Sequence, residues 1–110
     1  MKVLGADRRE PRMKYVQTIE FTTTRIDEVM ALDAKWESST VGKRTATGMR
    51  ITKDRDRPNT YMWVIEFPSA EGAAKNNDLP ETAEIAEKMA KLCDGEPIFR
   101  NLDLLEERDL

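Results

Sequence analysis

Thr60-Tyr61-Met62-Trp63-Val64-Ile65-Glu66-Phe67 is the most β-prone stretch of the chain, and the fold is read outward from it. β-Branched and aromatic residues dominate it, and successive side chains of a strand point to opposite faces. Tyr61, Trp63, Ile65 and Phe67 then share one face, and Met62, Val64 and Glu66 the other. Forty-six residues earlier, Ile19-Glu20-Phe21 ends a second β-prone run, from Tyr15 to Phe21, as Ile65-Glu66-Phe67 ends the first. Hydroxyl residues follow both triplets, and a helical pattern follows the hydroxyls. The chain thus contains two copies of one strand-helix unit.

The intervening segments fit that repeat. Thr22-Thr23-Thr24 offers hydroxyl N-caps for a helix beginning near Arg25, with Asp27 and Glu28 in its first turn. Ile26, Val29, Met30 and Trp36 recur at helical spacing, and Ser38-Ser39-Thr40 with Gly42 ends the pattern. A second strand is expected from Arg44 to Lys53. Asp54-Arg55-Asp56-Arg57-Pro58-Asn59 is a charged turn of hairpin length. Beyond Phe67, Ser69 caps a short helix over Ala70 to Lys75, and Asn76-Asn77-Asp78 interrupts it. Pro80 opens a second piece running to Leu92, with Ile85, Met89 and Leu92 on one face. Asp94-Gly95 stops the helix, and Pro97 to Leu105 reads as a last strand.

The order is β-α-β-β-α-β. It predicts an α+β, ferredoxin-like sandwich with strand order 4-1-3-2: a four-stranded antiparallel sheet carrying two helices on one face. Its first and third strands are expected side by side at the centre and are read as a parallel pair. Residues 1–14 read as an N-terminal arm, whose Met1 to Leu4 could add to a sheet edge, 15–105 as the domain, and 106–110 as a charged tail. The face bearing Tyr15, Gln17, Ile19 and Phe21 beside Tyr61, Trp63, Ile65 and Phe67 is the more apolar and is directed to the helices. Val16, Thr18 and Glu20 beside Met62, Val64 and Glu66 form the other face. That face is half apolar, and covering it with a second copy would remove Val and Met from water.

Composition narrows the functional classes. The chain has 110 residues, 18 Lys and Arg against 21 Asp and Glu, and 39% hydrophobic residues, enough for one modest core. Its longest apolar run, Tyr61 to Ile65, is far below the roughly 20 residues of a membrane helix, and no secretory signal is seen. A single cysteine, Cys93, makes a reducing cytoplasm the expected compartment. At a helix end, where the dipole disfavours a thiolate, Cys93 is not expected to be reactive. The absence of histidine excludes a histidine-based triad, His-ligated haem and most zinc enzymes. No Gly-rich phosphate loop and no metal-ligand spacing appear, so neither a metal nor another cofactor is expected.

Asp54-Arg55-Asp56-Arg57-Pro58, Glu66-Phe67-Pro68-Ser69, Leu79-Pro80-Glu81-Thr82 and Phe99-Arg100-Asn101-Leu102-Asp103, set in this element order, resemble a small bacterial branch of the dimeric α/β-barrel superfamily. Antibiotic-biosynthesis-type monooxygenases, haem-degrading enzymes and stress-responsive barrel proteins belong to that superfamily. The resemblance covers about residues 15–105 and implies a homodimer whose two sheets face each other as a barrel. In the cofactor-free monooxygenases a pocket between sheet and helices takes an aromatic polyketide or quinol, and an Asn and a Trp are implicated in activating oxygen. By that resemblance Trp63 and Asn76 are the candidate catalytic pair, while Trp36, Tyr61 and Phe21 would hold a small planar hydrophobic ligand. The histidine of the haem-degrading relatives is missing.

Plainer readings stand beside these. The aromatics serve equally as core, and Asn76-Asn77-Asp78 equally as an Asx-type turn setting the angle of the next helix. Glu20 and Glu66 are expected close together on the open face. They form either an acid-base pair or a structural ion-pair network with Arg44, Arg50 or Arg100. The functional alternatives are a non-enzymatic stress or assembly dimer and a single-stranded nucleic-acid-binding module. For the latter, the third strand would present aromatics to bases beside the basic 43–57 hairpin. Asn59-Thr60 in place of a Lys/Arg-Gly and the acidic second helix oppose it.

Overall fold

The computed structural model describes residues 14–110, so the arm up to Met13, with the edge strand considered for Met1 to Leu4, lies outside the described residues. The elements are β1 (Tyr15–Thr22), α1 (Ile26–Ser39), β2 (Gly48–Lys53), β3 (Thr60–Phe67), α2 (Ala70–Asn77), α3 (Pro80–Leu92) and β4 (Ile98–Asp103). One sheet runs β2-β3-β1-β4, and every neighbouring pair is antiparallel. This is the α+β ferredoxin-like sandwich, its second helix in two pieces. No helix among the described residues is long and apolar enough to cross a membrane.

The central pair corrects the parallel reading. The crossover through α1 leaves β2 running with β1, and the Asp54–Asn59 hairpin then reverses β3. In the resulting register Tyr15, Gln17, Ile19 and Phe21 lie opposite Phe67, Ile65, Trp63 and Tyr61. Phe21 stacks on Tyr61 with centroids 5.7 Å apart and meets Trp63 edge-on at 5.3 Å. Val29 from α1, Ala73 from α2 and Met89 from α3 close over these rings as the core. Met30 turns outward instead, and the buried stripe of α1 is Val29, Asp33 and Trp36.

Antiparallel pairing also separates the two glutamates. Glu20 faces Met62, whereas Glu66 faces Val16. The two positions are four residues apart along the strand, about 13 Å at the usual rise. Glu20 is held by Arg57 at 3.2 Å and Arg100 at 3.3 Å, and Glu66 lies 3.7 Å from Lys14. A shared acid-base pair is therefore not formed. Of the three expected ionic partners only Arg100 reaches Glu20, and Arg57 from the hairpin is the other.

α2 extends to Asn77, two residues beyond the expected Lys75, the last strand covers Ile98–Asp103 rather than Pro97 to Leu105, and two further boundaries differ for hydrogen-bonding reasons. The second strand begins at Gly48 rather than Arg44. Arg44 N–H donates to Thr40 O, Thr45 N–H donates to Asn76 Oδ1 at 3.1 Å, and the Thr45 hydroxyl donates to Gly72 O. Arg44 thus continues the turn after α1 and Thr45 is tied to α2, and pairing with β3 starts only at Thr47, whose N–H donates to Glu66 O at 2.8 Å. Nor do the threonines before α1 cap it. The N-cap is Arg25, and Thr23 accepts from Arg25 N–H at 2.9 Å while donating to Leu92 O at 2.7 Å. At the start of α2, by contrast, Ser69 accepts from Gly72 N–H at 3.0 Å, the expected cap.

Thr23 is fully buried and joins the start of α1 to the end of α3. Thr23→Val keeps the volume and removes both hydrogen bonds, at a total cost of roughly 1–3 kcal/mol because the Arg25 N–H can turn to water. Urea denaturation should show a loss in that range with an unchanged m-value.

Candidate functional site

Between the helices and the sheet lies a cavity of about 340 Å³. Its floor is the helix-facing side of the sheet: Ile19, Met49, Trp63, Ile65, Phe67 and, at the edge, Phe99. Trp36 of α1 and the end of α2 wall one side, and α3 forms the roof. The space exists because α3 turns Ala83, Ala86 and Ala90 toward it, at positions where larger side chains would fill it. These alanines remain exposed although they line the cavity, as does Phe99, so the cavity opens to solvent between α3 and β4.

The indoles are differently placed. Trp36 donates through Nε1 to Thr82 Oγ1 at 2.9 Å, which pins α1 to α3 across the cavity wall. The Arg44 guanidinium sits 5.8 Å from the Trp36 ring centroid. Trp63 is 4% exposed, and its Nε1–H has neither solvent contact nor a hydrogen-bond partner among the described residues. Leaving such a donor unsatisfied costs roughly 1–3 kcal/mol.

Asn76 is buried at the last turn of α2. Because Thr45 N–H must donate, the amide oxygen of Asn76 is the acceptor, and its Nδ2 has no partner among the described residues. Its carbonyl accepts from Leu79 N–H at 3.3 Å, and Asp78 N–H closes back on Ala74 and Lys75. The break between α2 and α3 therefore forms a hydrogen-bonded turn and also leaves an amide facing the cavity. Gln17 completes the polar floor, donating through Nε2 to Asn101 at 3.2 Å.

The five residues singled out from the sequence divide. Trp63, Asn76 and Trp36 meet at the cavity. Tyr61 and Phe21 do not line it. They stack on each other further along the sheet, and Phe21 braces the Trp63 ring from behind. Cys93 caps the end of α3, and burial, with Asp94 adjacent, raises its thiol above the usual range.

Asp33 is the lining residue that the sequence reading passed over. It is 9% exposed, one turn before Trp36, and it is the only ionisable side chain on the cavity wall among the described residues. No hydrogen bond holds its carboxylate, and burial, aided by the negative charge of Glu37, raises its pKa above the ordinary aspartate value. A signal was present: an aspartate midway between Val29 and Trp36 on the apolar stripe of a helix interrupts the expected pattern.

The fold has close counterparts among solved structures. The chain superposes on a candidate antibiotic biosynthesis monooxygenase from Caulobacter crescentus CB15 with a TM-score of 0.75 and 10% identity, covering 86% of this chain and 92% of that one. A conserved protein from Methanosarcina mazei Go1 gives 0.74 and 11% identity, over 84% and 93% of the two chains. SnoaB from Streptomyces nogalater, a cofactor-independent oxygenase, gives 0.73 and 11%, over 86% and 96%. At such identities the likeness is one of fold: an antibiotic-biosynthesis-monooxygenase-like, ferredoxin-like domain. No family model and no curated protein matches the sequence.

Burying the ionised Asp33 has a predictable cost. A pKa raised in the folded state means stability is greatest when the group is protonated and falls as pH rises through the folded-state value. Asp33→Asn should therefore be more resistant to denaturant than wild type at pH 7. The advantage should shrink as pH falls through the titration of Asp33, measured as paired urea midpoints across that range.

Proposed function

We propose that the protein binds a small planar hydrophobic compound in this cavity and acts on it as a monooxygenase without a cofactor. The observation that carries the reading is the cavity itself: about 340 Å³, walled by two indoles, with only a few polar groups. That is within the range of small-molecule sites and suits a flat ring system. The cofactor-independent chemistry of SnoaB, on the same fold, supports the reaction class. In such a reaction the substrate itself supplies two electrons and two protons, one oxygen atom entering the ring system and the other leaving as water. Trp63 and Asn76 would face the reacting ring, and Trp36 would hold it. Tyr61 and Phe21 would act from behind by keeping Trp63 in place.

The same reading makes the protein a cytoplasmic homodimer. Val16, Met62, Val64, Ile98 and Leu102 lie on the sheet face away from the helices, and Ile98 and Leu102 are each 45% exposed. A second copy packed sheet to sheet would bury them. A nucleic-acid partner has less support, because Tyr61, Trp63 and Phe67 all point to the helices and the open face offers no aromatic among the described residues. A purely structural dimer has less support too, since the cleft is not filled by its own side chains.

Oxygen uptake with a panel of hydroquinones tests the enzyme. Wild type should consume oxygen with at least one of them, and Trp63→Phe or Asn76→Ala should lower the rate about 10-fold or more, in line with the loss of one positioned group. No uptake above those variants with any hydroquinone would refute the oxygenase. For the dimer, native mass spectrometry at micromolar concentration should give twice the chain mass, and Val64→Asp should give the monomer, because it places a charge in the centre of the interface.

A further inference from the structure

Asp33 is costly where it stands, and the Trp36–Thr82 link and the core around Val29 do not need it. A buried carboxylate is ordinarily paired or hydrogen-bonded, yet this one takes no hydrogen bond from any described residue. Thr82, Asn76, Asn77 and Gln17 are the other polar residues on the cavity wall, and all four are uncharged. Asp33, Trp36 and Met49 also line a second hollow, which Glu37 and Arg44 border as well. The charged groups facing Asp33 are therefore Glu37 on its own helix and Arg44 in the loop after it, while α3 and the sheet bring none. Arg44 is committed elsewhere: its Nη1 donates to Glu37 O at 2.7 Å and to Thr40 Oγ1 at 3.2 Å.

Resting on the small-molecule reading above, we infer that Asp33 sets the specificity of the cavity: it selects neutral ring compounds bearing a hydroxyl, accepts that hydroxyl's hydrogen, and turns anions away. The apolar wall binds any flat ring, so the wall alone does not discriminate. The carboxylate adds a strong acceptor in a low-dielectric setting, where a hydrogen bond to a charged group is worth most. It is also the group on the cavity wall able to take the proton. In that step the ring O–H bond breaks, a carboxyl O–H bond forms on Asp33, and the electron pair stays on the ring oxygen, leaving an electron-rich anion beside a neutral acid. An aspartate with an elevated pKa is a better matched base than an exposed one. A ligand that arrives already anionic would instead meet Asp33 as a like charge.

Equilibrium dialysis with two planar two-ring probes, 7-hydroxycoumarin and 7-methoxycoumarin, tests this at a pH below the ionisation of the phenol. Wild type should bind the hydroxyl compound about 10-fold more tightly than the methyl ether, the ratio expected for a charge-assisted hydrogen bond. Asp33→Asn should keep the methyl ether within about 2-fold and lose most of the preference. The preference should also fade as pH drops through the titration of Asp33, and that fading should move to lower pH in Glu37→Gln, where a like charge is removed. Equal binding of the two probes by wild type, or a preference retained in Asp33→Asn, would overturn the role of Asp33 while leaving the cavity as a ligand site. Failure of both probes to bind would overturn the ligand-site reading and this inference together.

Discussion

The register of β1 on β3 is the constraint on which the rest of the molecule depends. With Ile19 opposite Trp63, the whole alternating set from Tyr15 to Phe21 and from Tyr61 to Phe67 falls on the face the helices cover. A shift of β1 by one residue would exchange its buried set for Val16, Thr18 and Glu20, and would put a carboxylate into the core. Many contacts enforce the register. Phe21 packs on Tyr61 and Trp63, Tyr15 meets Phe67 edge-on at 6.2 Å, and Asp94 N–H closes on Thr22 O at 2.7 Å at the end of the same strand. The cavity floor is part of this set, so the site inherits the rigidity of the most buried part of the sheet.

The roof is built differently. α3 packs against α1 through Trp36 and Thr82 and is tied to the loop after α1 by the Lys43–Glu81 pair at 2.7 Å, while its alanines leave the gap above the sheet unfilled. Dispersion contacts are thereby given up, an expense that a chain of this size with one modest core feels. A carboxylate without a hydrogen-bond partner at Asp33 and an unpartnered indole N–H at Trp63 belong to residues that line the same cavity. Three departures from optimal packing converge on one space. That pattern is expected where function competes with stability, because a site must leave groups unsatisfied until a ligand arrives.

Much of the fold was legible. Thr60 to Phe67 is delimited to the residue, the hairpin is placed, a break before Pro80 is expected two residues early because Asn76 and Asn77 still belong to α2, and the repeat of Ile-Glu-Phe discloses the doubled unit. Local propensity and alternation carry such information, since both act between near neighbours. Strand direction was another matter. The Ile-Glu-Phe echo suggests parallel strands, but direction follows from counting reversals through the helix and the hairpin, and the counting brings Glu20 and Glu66 to opposite ends. The second strand was read too long for a similar reason: Thr45 has the β propensity of a strand residue, and only Asn76 and Gly72, about 30 residues away, claim its donors.

By itself, then, the sequence determined the elements, their order, the face of each strand that is buried and the presence of two tryptophans and an asparagine near the core, because alternation and helical period are local properties of the chain. Tertiary structure decided which of those residues share a space. It brought Trp36, Trp63 and Asn76 to one cavity, left Tyr61 and Phe21 stacked in the core, and added Asp33, whose significance depends on what surrounds it. An aspartate on a helix is unremarkable in sequence. Its charge becomes consequential only when the fold limits its access to water and supplies no partner in return.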